Sequence, residues 1–266
     1  MKQQGHLNII GIGPSGPPTT TLQAIEEIEK IDSVIATEQT VQLFKKYIVN
    51  KPVLFDPWEG FWHYKGKHFL NLTDDELVSF RKARFHLRDK RVNIINDHLL
   101  KGKNIGLLES GDQNLFGPSH WYIEQLDYNQ ITIIPGIGAA AIALATLGKS
   151  IIPAYDTRFV MQTAPIYLRD WDQMLNDIKG YPLSMVLYMS LESPANLFKS
   201  LKKAYPNDMP CAAVFWAGFP NKELVIKGTL FNMEEKILKI EERNMGILFV
   251  GRFLEGKPYE AVMKKQ

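Results

Sequence analysis

The sequence predicts an α/β protein made of two α/β domains. Short apolar runs that end in glycine alternate with stretches of helical periodicity, which is the pattern of parallel βαβ units. A chain of 266 residues is long enough to build two cores. Beyond a Pro-Gly turn at Pro135-Gly136 the apolar runs follow one another more closely, as in a mixed sheet. The expected domains are residues 1–134 and residues 135–266.

Taken in order, residues 7–11 (LNIIG) read as a buried strand. Residues 19–31 place Leu22, Ile25, Ile28 and Ile31 at helical spacing, with Thr21 or a neighbouring threonine as N-cap. Residues 33–36 (SVIA) form the next strand. Residues 50–72 are irregular and rich in aromatics. Residues 74–100 read as one long helix opened by Thr73-Asp74-Asp75-Glu76, a capping box. A strand at 104–108 runs into Glu109-Ser110-Gly111-Asp112, then come a helix over 121–126 and a strand at 131–134. The alanine-rich residues 139–147 form a helix that Gly148 stops. The second half carries strands at 159–162, 185–189, 211–216, 224–228 and 246–251, with a helix at 193–205.

Composition narrows the function classes. Hydrophobic residues make up 45% and charged residues 23%, an ordinary globular balance. The net charge of +2 gives no reason to expect nucleic acid. Cys211 is the single cysteine, so no disulfide forms within the chain and no cysteine metal cluster is available. Residues 1–10 lack the apolar core of a secretory signal, and the apolar stretch 131–147 is broken by Pro135, Gly136 and Gly138. A cytoplasmic protein without membrane contact is the expectation. His63, His68, His86, His98 and His120 show no metal-ligand spacing, so no metal is expected.

Gly11-Ile12-Gly13-Pro14-Ser15-Gly16 matches G-x-G-x-x-G between a strand and a helix, with Glu38 placed as a ribose acid. That reading makes the chain an NAD(P)-dependent Rossmann oxidoreductase. Against it, Pro14, Pro17 and Pro18 remove N–H donors that a pyrophosphate would need. A tight turn between strand and helix explains the glycines equally well.

Further segments resemble the tetrapyrrole methylases, in order and over nearly the whole chain. Gly11-x-Gly13-Pro14 resembles the family's GxGPG opening. Leu108-Glu109-Ser110-Gly111-Asp112 with Phe116-Gly117 resembles its SGDP…YG segment, and Pro135-Gly136-Ile137-Gly138-Ala139-Ala140 its PGVSS-type turn. Leu187-Tyr188-Met189-Ser190 resembles the strand ending in Tyr-Met. Ala217-Gly218-Phe219-Pro220-Asn221 through Lys227-Gly228-Thr229-Leu230 resembles the late hairpin, and Phe249-Val250-Gly251 the closing strand. Gln162-Thr163 and the Tyr-Met-Ser-Leu run look closest to precorrin-4 C11-methyltransferases. The sequence departs from the family at Gly-Pro-Ser-Gly, where the acid of GPGD is missing, at Ser-Gly-Asp-Gln, and in the aromatic residues 57–72.

The resemblance implies the tetrapyrrole methylase fold, with the active site in a cleft between the domains, and S-adenosylmethionine (AdoMet) as cofactor. It places AdoMet against Pro14, Ser110, Gly111, Asp112, Leu115, Gly138, Ala139, Met189 and Gly218. It implies methylation of a precorrin-like tetrapyrrole of cobalamin or porphyrinoid synthesis, and a homodimer. Methyl transfer from a sulfonium needs mainly alignment and exclusion of water, so no catalytic residue need stand out. A tetrapyrrole intermediate bears many carboxylates. Arg81, Arg84, Arg88 and Arg91 recur along one helical stripe that could grip them, or that could be a solvated basic face. Trp58, Phe61, Trp62 and Tyr64 could wall a flat acceptor ring or pack a long loop onto its domain. The same fold and cofactor with a non-tetrapyrrole acceptor, such as a peptide, and a non-catalytic ligand-binding protein stay open.

Overall fold

The computed structural model describes residues 4–152, 158–168 and 170–255. The chain divides into two compact units, Met1–Gly138 and Ala139–Gln266. In chain order the first contains β1 (Leu7–Gly11), α1 (Leu22–Lys30), β2 (Ser33–Ile35), α2 (Glu38–Phe44), the hairpin β3 (His63–Tyr64) and β4 (Lys67–His68), α3 (Asp74–Leu100), β5 (Ile105–Glu109), α4 (His120–Ile123) and β6 (Ile131–Ile134).

Its sheet has the order β2-β5-β1-β6 and is parallel throughout. The inner strands β1 and β5 are buried at every residue, because helices cover both faces. On one face Ile10, Val34 and Leu108 pack with Ala24 and Ile28 of α1 and Phe44 of α2. On the other, Ile9, Ile105 and Leu107 pack with Val92, Ile95 and Leu99 of α3 and Tyr122 and Ile123 of α4. Thr21 caps α1 by accepting from the Ala24 N–H. The capping box of α3 is complete: Thr73 Oγ1 accepts from the Glu76 N–H at 3.3 Å, and Glu76 Oε2 accepts from the Thr73 N–H at 3.0 Å.

Several local expectations shift. Leu22, assigned to an apolar stripe, is 83% exposed, because α1 begins there and turns Ala24 and Ile28 inward. Residues 38–44 form α2, capped by Thr37 through the Thr40 N–H. Its seven residues carry too few apolar positions to show a period, so the sequence pattern does not reveal this helix. The helix expected over 121–126 is the single turn α4, which starts at His120.

The second unit contains α5 (Ala139–Leu147), β7 (Phe159–Thr163), α6 (Trp171–Ile178), β8 (Leu183–Leu187), α7 (Pro194–Ala204), β9 (Pro210–Phe215), β10 (Leu224–Thr229), α8 (Met233–Leu238) and β11 (Gly246–Val250). Its five-stranded sheet has the order β10-β9-β11-β8-β7 and is mixed. β11 runs antiparallel to both β8 and β9, so β8 and β9 point the same way and finish at the same end of the sheet. Trp171, Leu175, Leu197, Phe198, Leu201, Met233 and Ile237 cover one face from α6, α7 and α8. Ala143 and Leu147 of α5 cover Val186, Val214 and Phe249 on the other. The strand expected over 185–189 is β8 at Leu183–Leu187, so Met189 lies beyond it.

Candidate functional site

In the first unit, three separated loops converge at the carboxyl ends of β1, β5 and β6. Gly111 N–H donates to Gly13 O at 2.9 Å, and these two glycines form an isolated bridge. Ser110 Oγ lies 3.5 Å from the same carbonyl. The turn after β6 is wedged against both other loops: a Cβ at Gly136 would collide with Gly111 O and with the Gly11 backbone. Only a residue without a side chain allows this crossing. It also explains why residues 135–138 pack with the first unit. The buried Gln113 ties the loops together by donating from Nε2 to Ile134 O at 2.6 Å.

Six of the residues implied to touch AdoMet sit on these loops: Pro14, Ser110, Gly111, Asp112, Leu115 and Gly138. The fit of the cofactor can be tested on the backbone. Gly111 has φ +78°, and a Cβ built there would meet no atom within 4 Å. At Gly138 such a Cβ would meet only the Asp112 Cβ, at 3.6 Å. The Cβ directions of Gly111 and Gly138 are therefore open beside a carboxylate, which suits close approach of a cationic amino acid and its ribose. Asp112 Oδ1 accepts from the Asn114 N–H at 2.9 Å, and the Leu115 N–H donates to Asp112 O at 3.1 Å, so the turn holds its own shape.

The Gly11–Gly16 loop is not built as a pyrophosphate cradle. The Ser15 N–H donates to Thr19 Oγ1 at 3.2 Å, and the prolines at 14, 17 and 18 offer none. The Thr20 hydroxyl donates to Ile12 O at 2.7 Å, closing the loop on itself. Glu38, the supposed ribose acid, is instead the first residue of α2.

Beside these loops lies Glu109, a residue the sequence reading did not single out. It is 4% exposed, and its Oε2 has no hydrogen-bond partner. Burial pushes its carboxyl up to about 7, opposed by the side chain and backbone N–H of Ser119. An acid at the end of an otherwise apolar strand was the available signal.

In the second unit, Ala139 opens α5, while Met189 and Gly218 follow β8 and β9 at the same end of the sheet. Met189 and Trp216 both adopt φ +51°, rare for residues with a Cβ. Gly218 is anchored: Glu223 Oε2 accepts from the Gly218 N–H at 2.7 Å and from Thr146 Oγ1 at 3.0 Å.

The arginine stripe is neither an open grip nor a solvated face. Arg81 is exposed and Arg84 half-buried, but Arg88 and Arg91 are 9% and 3% exposed. Residues 55–69 fold over α3 and insert rings between the guanidinium groups. Arg84 lies 4.1 Å from the Phe61 ring centroid and 5.0 Å from that of Trp121. Arg88 stacks on Phe85 and Trp121 and pairs with Asp89 at 3.3 Å. Arg91 donates to Pro57 O at 3.2 Å and to Tyr122 Oη at 3.0 Å. Such stacking on desolvated rings is favourable and holds the segment down. Trp58 and Phe61 belong to this packing, with ring centroids 5.5 Å apart. Arg88 is therefore buried and already partnered within its own unit. Among the described residues no group of three or more His, Cys, Asp or Glu side chains could hold a metal ion, and no helix is long and apolar enough to cross a membrane.

The model of the Tetrapyrrole (Corrin/Porphyrin) Methylases matches residues 6–234. The chain belongs to this family. Members are methyltransferases that use AdoMet, and this activity and cofactor are those of the chain. A cobalt-precorrin-4 C(11)-methyltransferase of Methanocaldococcus jannaschii is 23% identical over 256 residues, covering 94% of this chain and 89% of the relative. A uroporphyrinogen-III C-methyltransferase of Bacillus subtilis is 23% identical, covering 98% and 97%. Among solved structures, a cobalt precorrin-4 methyltransferase of cobalamin biosynthesis has a TM-score of 0.73 at 18% identity, covering 94% of this chain and 95% of that one. A Thermus thermophilus uroporphyrin-III C-methyltransferase complexed with S-adenosyl homocysteine has a TM-score of 0.61 at 19% identity, covering 94% and 93%. Family membership removes the oxidoreductase alternative.

Proposed function

We propose that this chain methylates a carbon of a precorrin-like or uroporphyrinogen-like tetrapyrrole, with AdoMet as donor. The observation that carries the reading is the convergence of the Gly13, Gly111 and Gly136 loops beside Asp112, with open Cβ directions at Gly111 and Gly138. We assign Pro14, Ser110, Gly111, Asp112, Leu115 and Gly138 to the cofactor, with Ala139, Met189 and Gly218 assigned to the same ligand by resemblance. When bound, AdoMet supplies an already activated methyl group. The work left to the protein is to orient the partners and keep water out. The open backbone at Gly111, the Asp112 carboxylate and the anchored Gly218 turn serve orientation. The relatives that act on precorrin-4 and uroporphyrinogen III support the acceptor class. We further propose a cytoplasmic homodimer.

The test is incubation with methyl-labelled AdoMet and, in turn, uroporphyrinogen III and precorrin mixtures. Label in the extracted macrocycle, with release of S-adenosylhomocysteine, is the expected result. Binding of S-adenosylhomocysteine without labelling of any tetrapyrrole would transfer the proposal to another acceptor on the same cofactor site.

A further inference from the structure

Within the second unit, a groove of about 630 Å³ opens at the amino ends of α6 and α7. Met189 and Ser190, just past β8, also line it. Two of its lining residues carry donors without partners, Trp171 Nε1 and Ser190 Oγ. Trp171 is 8% exposed and Ser190 7%, so both residues are largely withdrawn from bulk solvent. A buried N–H or O–H left unpaired costs stability, and few native groups are left so without a reason.

The two helices add further donors. Asp170 at the start of α6 and Ser193 at the start of α7 make no side-chain cap hydrogen bond. The first-turn N–H groups therefore gain no acceptor from these cap side chains, Pro194 in the first turn of α7 having no N–H, and both macrodipoles present their positive ends here. Indole and backbone N–H groups only donate, so the missing partner is an acceptor oxygen. Its charge is limited by two acids in the lining. Asp172 is held by Lys203 at 2.7 Å, but Asp170 has no ion pair among the described residues. One negative charge is tolerable beside Asp170, whereas a phosphate dianion would meet stronger repulsion. Pro165, Ile166 and Leu197 supply an apolar wall that suits methylene groups.

We propose that this groove binds a carboxylate carried on a short aliphatic stem, with Trp171 and Ser190 as its donors. Met189 lines the groove and is also assigned to AdoMet, so the bound carboxylate would lie beside the donor. The identity of that carboxylate as an acetate or propionate arm of the acceptor rests on the function proposed above. The carboxylate chemistry itself rests on the groove alone.

Nitrogen-15 labelling gives an indole N–H signal for each of the five tryptophans, and Trp171→Phe assigns one of them. Titration with propionate, against sodium chloride at equal ionic strength, should move the Trp171 signal saturably. Ser190→Ala should weaken propionate about tenfold, the loss of one hydrogen bond to a charged group. Uroporphyrin I, which carries acetate and propionate arms, should move the same signal at much lower concentration. A Trp171 signal unmoved by propionate would overturn the proposal, as would equal affinity in Ser190→Ala. A signal that answers propionate but not uroporphyrin would keep the carboxylate site and refute the tetrapyrrole acceptor.

Discussion

Replacing Glu109 with glutamine should stabilise the first unit at alkaline pH and do little in acid. The carboxyl is buried, with one oxygen unpartnered, and is pushed from its ordinary value of 4.5 up to about 7. The folded unit thus holds this proton more tightly than the unfolded chain does. Between the two values the native state binds more protons, and stability falls as pH rises. The favourable contribution is fully present below the unfolded value and is gone once pH has passed about 7. At about 1.4 kcal/mol for each tenfold change in protonation, the ceiling is about 3 kcal/mol. For a unit of this size that corresponds to roughly 10 °C in melting temperature. Glutamine keeps the shape, removes the titration and offers an amide to Ser119. Calorimetric melting of both proteins at pH 5 and pH 8 is the assay. The advantage of Glu109→Gln should appear at pH 8 and shrink toward zero at pH 5. A difference that is the same at both pH values would show that Glu109 does not titrate in this window.

Other substitutions probe the site and the arginine packing. Gly111→Ala fills open space at a positive φ, so the protein should fold with a penalty of about 1–2 kcal/mol. Its affinity for S-adenosylhomocysteine, read by calorimetry, should fall at least about tenfold. Gly136→Ala should instead lower the melting temperature sharply, since its Cβ meets Gly111 O and the Gly11 backbone. Tyr122→Phe removes a buried hydroxyl that donates to Pro57 O at 2.6 Å and accepts from Arg91. Urea denaturation should record a loss of about 1–3 kcal/mol. Arg84→Met removes the guanidinium that lies over Phe61 and Trp121, so, if Arg84 also meets the acceptor, acceptor KM should rise while S-adenosylhomocysteine affinity is unchanged. An unaltered KM would limit Arg84 to holding residues 55–69.

Much of the fold was legible because its strands are buried on both faces. Runs such as LNIIG and IGLLE each carry a single polar residue, Asn8 and Glu109, and the glycines that follow mark where loops cross. The Thr73 capping box announced α3 for the same reason: a local hydrogen-bond pattern needs only neighbours in sequence. Short elements were less legible. Helices α2, α6 and α8 span too few residues for a period to emerge, and packing against the sheet holds them in place.

The sequence by itself determined the family, the order of its strands and long helices, and the three glycine loops that form the candidate site. Those depend on short-range patterns and on motifs that survive divergence. Only the tertiary structure decided what the side chains between motifs do. Whether Arg88 meets solvent or Trp121 depends on a segment some thirty residues later in the chain packing against α3. Whether Glu109 is an ordinary acid or one titrating near neutrality depends on burial beneath other loops. The unpaired donors of Trp171 and Ser190 became visible only when two helix ends and a strand end were brought to one groove. Desolvation and pairing are properties of neighbours in space, and the sequence names those neighbours only through the fold.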